Sequence, residues 1–110
     1  MSGSEKKLSS LALDKLVHEK ARLMTLTYLA SSDSAEVSFT ELRDALGLSA
    51  GNLSVQLKNL EDAGYISITK SFKDNKPNTA VSLSVSGHAA LEAYLSEMEV
   101  ILQTVRRQSK

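Results

Sequence analysis

The sequence between Ser38 and Gly64 places two helices next to each other with almost nothing between them. Ser38 and Glu41 have the spacing of a capping box, and Gly47 can adopt the left-handed conformation that ends a helix. Ser49 is a good N-cap for the next helix, so only Gly47 and the residue after it separate the two. The sequence therefore predicts a short helix, a tight turn and a second helix that ends at Gly64.

The second of these helices, predicted over residues 49–63, is amphipathic. Leu53, Leu57 and Leu60 recur at helical spacing and form a stripe suited to a core. At about 100° per residue, the opposite face carries small and polar residues and one valine. A lone exposed valine needs no explanation in itself, but it can also contact a thymine methyl group. This opposite face comprises Gly51, Asn52, Ser54, Val55, Lys58 and Asn59.

After Gly64 the apolar period changes from about 3.6 to about 2 residues, which indicates strands. The segments YISITKSF and NTAVSLSV each alternate apolar and polar residues. Between them, KDNKPN concentrates residues that favour turns and includes the chain's only proline. The two strands are therefore predicted to form a hairpin whose protruding tip carries Lys73, Asn75 and Lys76.

Two longer helices are predicted on either side of this central region. Apolar residues recur with helical spacing from Leu11 to Ala30, without an internal proline or glycine, and predict a long first helix. A last helix is predicted from about Gly87 to Arg107, with Ser84 or Ser86 as its cap. Its apolar residues alternate in steps of four and three, which is typical of a helix that packs along another helix.

Composition limits the class of protein. The 110 residues suit one domain, and we expect a flexible leader over residues 1–10 and the domain over residues 11–107. The absence of cysteine, of an apolar run of membrane-spanning length and of a signal-like N-terminus is expected of a cytoplasmic protein. The 13 basic and 13 acidic residues cancel, so any argument for nucleic acid rests on local charge, such as the lysines between residues 65 and 83.

No catalytic or metal-binding residues are predicted. His18 and His88 are far apart and lack a thiolate or clustered carboxylates nearby, so we expect them to be helix residues with local partners. Ser86 lies near His88, but no third catalytic group is present, and helix capping explains this serine. We therefore expect no enzyme activity, no metal and no cofactor, and the sequence does not indicate an effector pocket.

The order of helix, tight turn, amphipathic helix and lysine-tipped hairpin is that of a winged helix-turn-helix. LSAGNLSVQLKNLEDAGYI, followed by FKDNKPNTAVSLSVSGHAALEAYL, resembles small winged-helix transcriptional regulators near the MarR and ArsR groups. The resemblance implies a mainly α (α+β) fold with a long C-terminal dimerisation helix. It also implies a DNA-binding regulator with recognition helix 49–63 in the major groove and wing 70–78 on the backbone or minor groove. Wings in such regulators commonly carry arginine at the tip, where this chain has Lys76.

On this resemblance, the predicted DNA contacts lie on the recognition helix and the wing. Ser49 offers a hydroxyl near the positive end of a helix, and Gly51 lets the backbone approach closely. Lys73 and Lys76 can reach phosphates, whereas Lys70 on the strand is a weaker candidate. The predicted contacts are Ser49, Ala50, Gly51, Asn52, Ser54, Val55, Lys58, Asn59, Lys73, Asn75 and Lys76.

The last helix is predicted to join two chains into a homodimer. Its apolar surface could instead pack on this chain's own first helix, but a chain this short cannot cover both faces of two long helices. A two-fold dimer would set two recognition helices against half-sites about 34 Å apart, one turn of DNA. The predicted dimerisation residues are Leu91, Tyr94, Leu95, Met98, Ile101, Leu102 and Val105.

A second function stays open at this point. The neutral overall charge and the acidic residues Glu41 and Asp44 of the short helix also suit a winged-helix protein-interaction module that does not bind DNA. Binding to duplex DNA with a steep salt dependence would distinguish the regulator from this module.

Overall fold

Helices dominate the part of the chain that the structure, a computed structural model, describes, which is residues 8–108. The strands form one antiparallel sheet in the order β1-β3-β2. This architecture confirms the predicted mainly α fold with a hairpin. The predicted leader, residues 1–10, lies outside the described residues except for a 3-10 turn at Leu8–Ser10. The elements are α1 (Lys20–Ser31), β1 (Val37–Ser38), α2 (Phe39–Leu46), α3 (Ala50–Asp62), β2 (Ile66–Lys73), β3 (Lys76–Leu83) and α4 (Val85–Gln108).

The tight turn between α2 and α3 is formed as predicted. The hydroxyl of Ser38 accepts a hydrogen bond from the backbone N–H of Glu41 at 3.1 Å and caps α2. Gly47 ends α2 with φ 66°, in the left-handed region. The hydroxyl of Ser49 accepts the N–H of Asn52 at 3.1 Å and caps α3. All the residues that set this turn lie within a few positions of it.

The core lies between α1, α2, α3, the sheet and the first half of α4. The leucine stripe of α3 packs into it, and β1 joins the sheet through the pair Val37 and Val81. β1 is too short for the sequence pattern to reveal, and it was not predicted. Side chains exposed by 2% or less include Val17, Thr25, Leu26, Val37, Leu42, Leu53, Leu57, Leu60 and Val81.

The predicted first helix, Leu11 to Ala30, is wrong in its first half, because α1 begins only at Lys20. Glu19 caps it with extended backbone and a side chain that accepts the N–H of Arg22 at 2.9 Å. Between the 3-10 turn at Leu8–Ser10 and α1, residues 11–14 have no regular structure and residues 15–17 form a turn. Apolar side chains of this segment reach the core, and spacing alone does not distinguish this arrangement from a helix.

The segment before α1 is shaped around Asp14. Leu13 has φ 43°, and one oxygen of Asp14 accepts the N–H groups of Leu16 at 2.8 Å and Val17 at 3.3 Å. The other oxygen accepts the hydroxyl of Tyr65 at 2.5 Å. Burial raises the pKa of Asp14, but these hydrogen bonds outweigh it and hold the pKa below its ordinary value. The bond to Asp14 also raises the pKa of Tyr65.

α4 holds the same segment from the other side. The buried carboxylate of Glu97 accepts the N–H groups of Ala12 and Leu13 at 2.8 and 2.9 Å. Nδ1 of His18 lies 2.6 Å from the hydroxyl of Tyr94. His18 precedes α1 and has a partner 76 residues away, so its predicted place in a helix with a local partner is wrong.

The start of α4 is fixed by a cap and a close contact. Ser84 accepts the N–H of Gly87 at 2.9 Å, which confirms the predicted cap. A Cβ at Gly87 would lie 2.0 Å from the carbonyl oxygen of Tyr65. Only glycine therefore lets α4 approach the beginning of the hairpin this closely.

The hairpin is longer and its turn tighter than predicted. Residues 74–75 have φ 54° and 64° and form a two-residue turn, so the strands continue through Lys73 and Lys76. Pro77 lies in β3, opposite Phe72. Near the turn, β3 is paired with β2 alone, because β1 reaches only Ala80 and Val81. In an antiparallel pair of strands, hydrogen-bonded and non-hydrogen-bonded residue pairs alternate, so Phe72 and Pro77 form a non-hydrogen-bonded pair next to the pair that closes the turn. The missing N–H of Pro77 therefore removes nothing from the sheet.

Candidate nucleic-acid interface

The structure exposes every residue that the sequence predicts as a DNA contact. On α3, burial of the leucine stripe fixes the rotation of the helix about its axis and turns the opposite face to solvent. Val55 is 57% exposed in the middle of that face. The exposed residues are Ser49, Ala50, Gly51, Asn52, Ser54, Val55, Lys58 and Asn59 on α3, and Lys73, Asn75 and Lys76 at the hairpin.

A cleft of about 650 Å³ separates α3 from the hairpin. Lys70 and Thr79 line its hairpin side, so Lys70, which the sequence indicated only as a weaker candidate for DNA contact, faces the same cleft as α3. The sequence could have predicted this orientation of Lys70, because alternate residues of a strand share a face and Ile68, two residues earlier, packs on the core. The lining residues are Phe39, Ser54, Leu57, Lys58, Glu61, Ile68, Lys70 and Thr79.

Lys58 is exposed but already has an acidic partner. Its Nζ donates to an Asp62 carboxylate oxygen at 3.0 Å, one helical turn away. That hydrogen bond, assisted by the charges of Asp62 and Glu61, raises the pKa of the Lys58 ammonium. An exposed ion pair of this kind contributes little to stability, so a phosphate or base can replace Asp62 at low cost.

Asn52 belongs to a hydrogen-bond network that the sequence did not reveal. Nη1 of Arg22 donates to Oε1 of Gln56 at 2.7 Å, and Nε2 of Gln56 donates to Oδ1 of Asn52 at 3.0 Å. Arg22 lies on α1, 34 residues from Gln56, so no local spacing connects them. We call Arg22, Gln56 and Asn52 the Arg22 network. It connects α1 to the exposed face of α3.

The tip of the hairpin combines charge with an exposed aromatic side chain. Lys73 and Lys76 lie opposite each other on the last pair of residues before the turn. Phe72 is 77% exposed, although it lies on the same strand face as Ile68 and Lys70. An aromatic ring this exposed and flanked by lysines suits a partner that offers both anionic and apolar contacts.

The N-terminus of α3 is open to a partner. Ser49, Ala50 and Gly51 are all exposed there, where free backbone N–H groups and the helix dipole favour anions. A Cβ built on Gly51 meets nothing within 4 Å. The fold itself therefore does not require a glycine at this position, although glycine destabilises a helix interior.

α4 presents a second exposed surface, and this one is apolar. Leu95 and Leu102 are 47% and 45% exposed, and Val105 is 59% exposed. Ile101, between them, is half-buried. We call Leu95, Met98, Leu102 and Val105 the distal stripe.

Two of the predicted dimerisation residues do not belong to that surface. Leu91 and Tyr94 are each 3% exposed and pack in this chain's own core. The prediction that these two residues lie at a dimer interface is therefore wrong. Their spacing matched that of the other apolar residues, but it did not show where α4 leaves the core.

Within residues 8–108, no three His, Asp or Glu side chains are placed to hold a metal ion together. None of the helices described there is both long and apolar enough to cross a membrane.

Comparisons with known proteins agree with this geometry. A family model described as "Winged helix DNA-binding domain" matches residues 21–102. The uncharacterized protein MJ0432 of Methanocaldococcus jannaschii is 29% identical over 84 residues, which cover 76% of this chain and 89% of that protein.

Solved structures have the same fold. The transcriptional regulator homologue from Pyrococcus horikoshii OT3 superposes with a TM-score of 0.79 at 21% identity, covering 89% of this chain and 95% of that one. The S. aureus MepR-DNA complex gives a TM-score of 0.70 at 22% identity, covering 93% and 82%. MepR is described as a transcription regulator of the multidrug efflux pump MepA. These likenesses confirm the predicted winged-helix fold.

Proposed function

Because the chain belongs to the family of winged helix DNA-binding domains, matched over residues 21–102, we propose that it is a sequence-specific transcriptional regulator that acts as a homodimer. α3 is the recognition helix and enters the major groove. The hairpin is the wing and contacts the DNA backbone.

The observation that carries this proposal is the exposed face of α3 opposite its buried leucine stripe. The major groove is about 12 Å wide and admits one helix, provided that the helix protrudes and carries side chains that can contact base edges. α3 meets both conditions, since Asn52, Ser54 and Lys58 can form hydrogen bonds and Val55 can contact a thymine methyl group.

Local charge supports phosphate contact despite the zero net charge of the chain. Lys58 and Lys70 line the cleft, and Lys73 and Lys76 extend from the wing tip. Asp62 forms an ion pair with Lys58, and Glu61 lines the same cleft, whereas the wing tip has only Asp74 nearby in sequence. We therefore assign the main electrostatic contact to the wing.

The distal stripe supports a dimer. Four apolar side chains along one side of the last turns of α4 would stay in contact with water in a single chain, at a cost of about 25 cal/mol for each Å² of apolar surface. A second α4 packed along the first would cover them. Two linked modules then bind two half-sites, and neither module needs to bind tightly alone.

The experiment that tests this function is a titration of duplex DNA at several salt concentrations. We expect tight binding to a selected duplex and weaker binding to a random one, both falling steeply as salt rises because phosphate contacts release counterions. Changing Lys73 and Lys76 to Gln should weaken both by similar factors. It should also flatten the slope of log affinity against log salt by about 1 for each phosphate that the wing no longer neutralises.

The matched control changes Lys15 and Lys20 to Gln. These two exposed lysines lie before and at the start of α1, away from the cleft, so the salt slope should match that of the parent. A wing variant with the slope of the parent would show that the wing lysines do not contact the backbone.

One observation favours the alternative of a protein-interaction module, namely the exposed ring of Phe72 beside a cleft that also contains Glu61. Such a module would bind no duplex DNA even at low salt. That result would remove the regulator from consideration.

A further inference from the structure

The face of the hairpin that looks toward α3 changes character twice between the core and the tip. Alternate residues of a strand share a face, so cross-strand pairs follow one another along it in steps of two. Ile68 packs against the core, and Lys70 with Thr79 forms the next pair outward and lines the cleft. The outermost pair on this face is Phe72 with Pro77, and both residues are exposed. An apolar pair therefore returns beyond the polar one, where the chain's own core does not reach.

We call Phe72 and Pro77 the wing pair. The ring of Phe72 is 77% exposed, and Pro77 lies directly opposite it in a non-hydrogen-bonded pair, the kind in which side chains are closest. Proline has a fixed φ, and the turn beyond the pair has only two residues. The exposed ring is therefore carried by a stiff two-stranded ribbon and not by a loose loop.

The charges around the wing pair favour a polyanion as the partner that covers it. Lys70 neighbours the pair on the same face, and Lys73 and Lys76 lie one residue further toward the tip. In the part of the chain that the structure describes, these three lysines form no ion pair, and Asp74 is the one acidic residue between the start of β2 and the end of β3. A DNA strand offers phosphates and the C–H edges of its sugars side by side, which suits this mixture of charge and apolar surface.

The position of the wing pair relative to α3 indicates which part of a duplex it would meet. One sugar-phosphate strand separates the major groove of a duplex from the minor groove. With α3 in the major groove, as proposed above, that strand lies in the cleft between Lys58 on one wall and Lys70 on the other. Two residues along a strand span about 7 Å, so Phe72 lies beyond the phosphate nearest Lys70, on the minor-groove side of the strand.

We propose that the wing pair forms an apolar contact with the deoxyribose sugars that line the minor groove, an inference that rests on the proposed binding of DNA. The ring of Phe72 packs on the sugars, and Pro77 lies beside it on the neighbouring strand. Because sugars do not differ along the sequence, the contact adds affinity without base preference. It releases no counterions, so its contribution does not depend on salt. It also disfavours ribose, whose 2′-hydroxyl would lose water against the ring.

The first test is Phe72→Ala in a titration of duplex DNA at several salt concentrations. We expect affinity to fall by about tenfold or more, by the same factor for a selected and a random duplex and at every salt concentration. The slope of log affinity against log salt should equal that of the parent, in contrast to the variant with Gln at Lys73 and Lys76. Phe72→Leu keeps an apolar side chain and should retain most of the affinity.

Val85→Ala is the matched control, because Val85 is also apolar, is 89% exposed and lies beyond the end of β3 that is far from the tip. It should bind DNA like the parent. Urea unfolding should show that Phe72→Ala has nearly the stability of the parent, since the ring is exposed. Parental affinity of Phe72→Ala, a changed salt slope, or a loss confined to particular base sequences would each overturn the sugar contact.

The second test changes the DNA and needs no variant to locate the contact. Single ribonucleotides, placed one at a time through a selected duplex, each add one 2′-hydroxyl. The parent should lose about threefold or more in affinity at one or two positions of each half-site, and Phe72→Ala should lose much less at the same positions. Both proteins meet the same duplex, so an effect of the ribonucleotide on duplex shape is common to them. A parent that tolerates every ribonucleotide, or a Phe72→Ala variant with the full loss, would overturn the proposal.

Failure of this contact and failure of the proposed function give different results. If the parent binds no duplex DNA even at low salt, the proposed function fails, and the sugar contact fails with it. If the parent binds a selected duplex and Phe72→Ala binds it equally well, the function stands, and only the role of the wing pair is overturned.

Discussion

In α3 the stripe residues Leu53, Leu57 and Leu60 are all exposed by 2% or less, whereas in α4 the apolar residues divide between the core and the surface. Leu91 is 3% exposed, but Leu102, with the same chemistry and three turns further on, is 45% exposed. The chain's own core thus uses all the leucines of α3 and only the first leucine of α4. The exposed face of α3 is mainly polar, with Val55 in its middle, whereas α4 also exposes a stripe of large apolar side chains.

This difference is the reason for proposing different partners for the two helices. A polar, hydrogen-bonding face whose rotation is fixed by a buried stripe suits the edges of bases. An apolar stripe that the chain cannot cover suits another apolar stripe, and symmetry supplies one in a second copy. Substitutions on each helix test this division, from the largest expected effect to the smallest.

The largest effect is expected from charges in the distal stripe. Leu95→Glu with Leu102→Glu should give monomers, because burying unpaired carboxylates at the interface is costly. Loss of the second module should then lower affinity for a two-half-site duplex by about 10²- to 10⁴-fold. Sedimentation and DNA titration measure the two effects.

The control for this variant places the same charges one residue away. Ser96→Glu with Gln103→Glu adds two exposed carboxylates to α4 outside the distal stripe and should leave a dimer. If the stripe variant remains a dimer, the interface lies elsewhere, and the comparison between the two helices loses its functional meaning.

The next largest effect is expected on stability, when the same leucine-to-alanine change is made on each helix. Leu53→Ala should lower the free energy of unfolding by about 2–5 kcal/mol at any protein concentration, because it leaves a cavity in the core. Leu102→Ala should cost under about 1 kcal/mol in the monomer, and its cost should grow with protein concentration as dimerisation contributes. Urea unfolding at several concentrations measures both, and similar, concentration-independent losses would contradict the comparison.

These two stripes also show how far the sequence could predict the fold. The caps at Ser38 and Ser49 and the left-handed Gly47 act on their immediate neighbours, so the turn between α2 and α3 was predictable. The division of α4 between core and surface was not predictable, because Leu91 and Leu102 fit the same helical spacing, and their burial depends on which distant parts of the chain pack beside α4.

The prediction of a helix from Leu11 was wrong for a related reason. The bond between Asp14 and Tyr65 and the bonds from Ala12 and Leu13 to Glu97 join residues that are far apart in the sequence, and they replace the helix that local spacing favours. The candidate site, too, could be predicted only where it depends on local spacing. Its surface residues follow from the helical period, but the Arg22 network, which connects α1 to Asn52, does not.

A smaller effect is expected on the polar face of α3. Ser54→Ala, Val55→Ala and Lys58→Ala should leave stability nearly unchanged, since all three residues are exposed. Lys58→Ala should weaken specific binding, and the other two should change base preference by about 5- to 150-fold at single positions. Binding-site selection measures this, and an unchanged motif and affinity in all three variants would exclude α3 as the recognition helix.

The smallest effect is expected at Gly51, and Gly87 serves as its contrast. Gly51→Ala should raise the free energy of unfolding by about 0.5–1 kcal/mol, because alanine favours a helix and the added Cβ meets nothing in the chain. The same change should weaken DNA binding, since the Cβ then lies between the helix and the groove. Gly87→Ala should instead destabilise the protein, as its Cβ would overlap the Tyr65 carbonyl. A Gly51→Ala variant with unchanged DNA affinity would show that this turn of α3 does not approach the DNA.

The central claim, that α3 and the wing meet DNA while the distal stripe meets a second chain, is tested most directly by ¹⁵N–¹H spectra of the protein during titration with a selected duplex. We expect the amide signals of residues 49–59 and 73–76 to shift strongly, and those of residues 95–105 to keep the positions that they have in the free dimer. Strong shifts confined to α4, with α3 unchanged, would contradict the account.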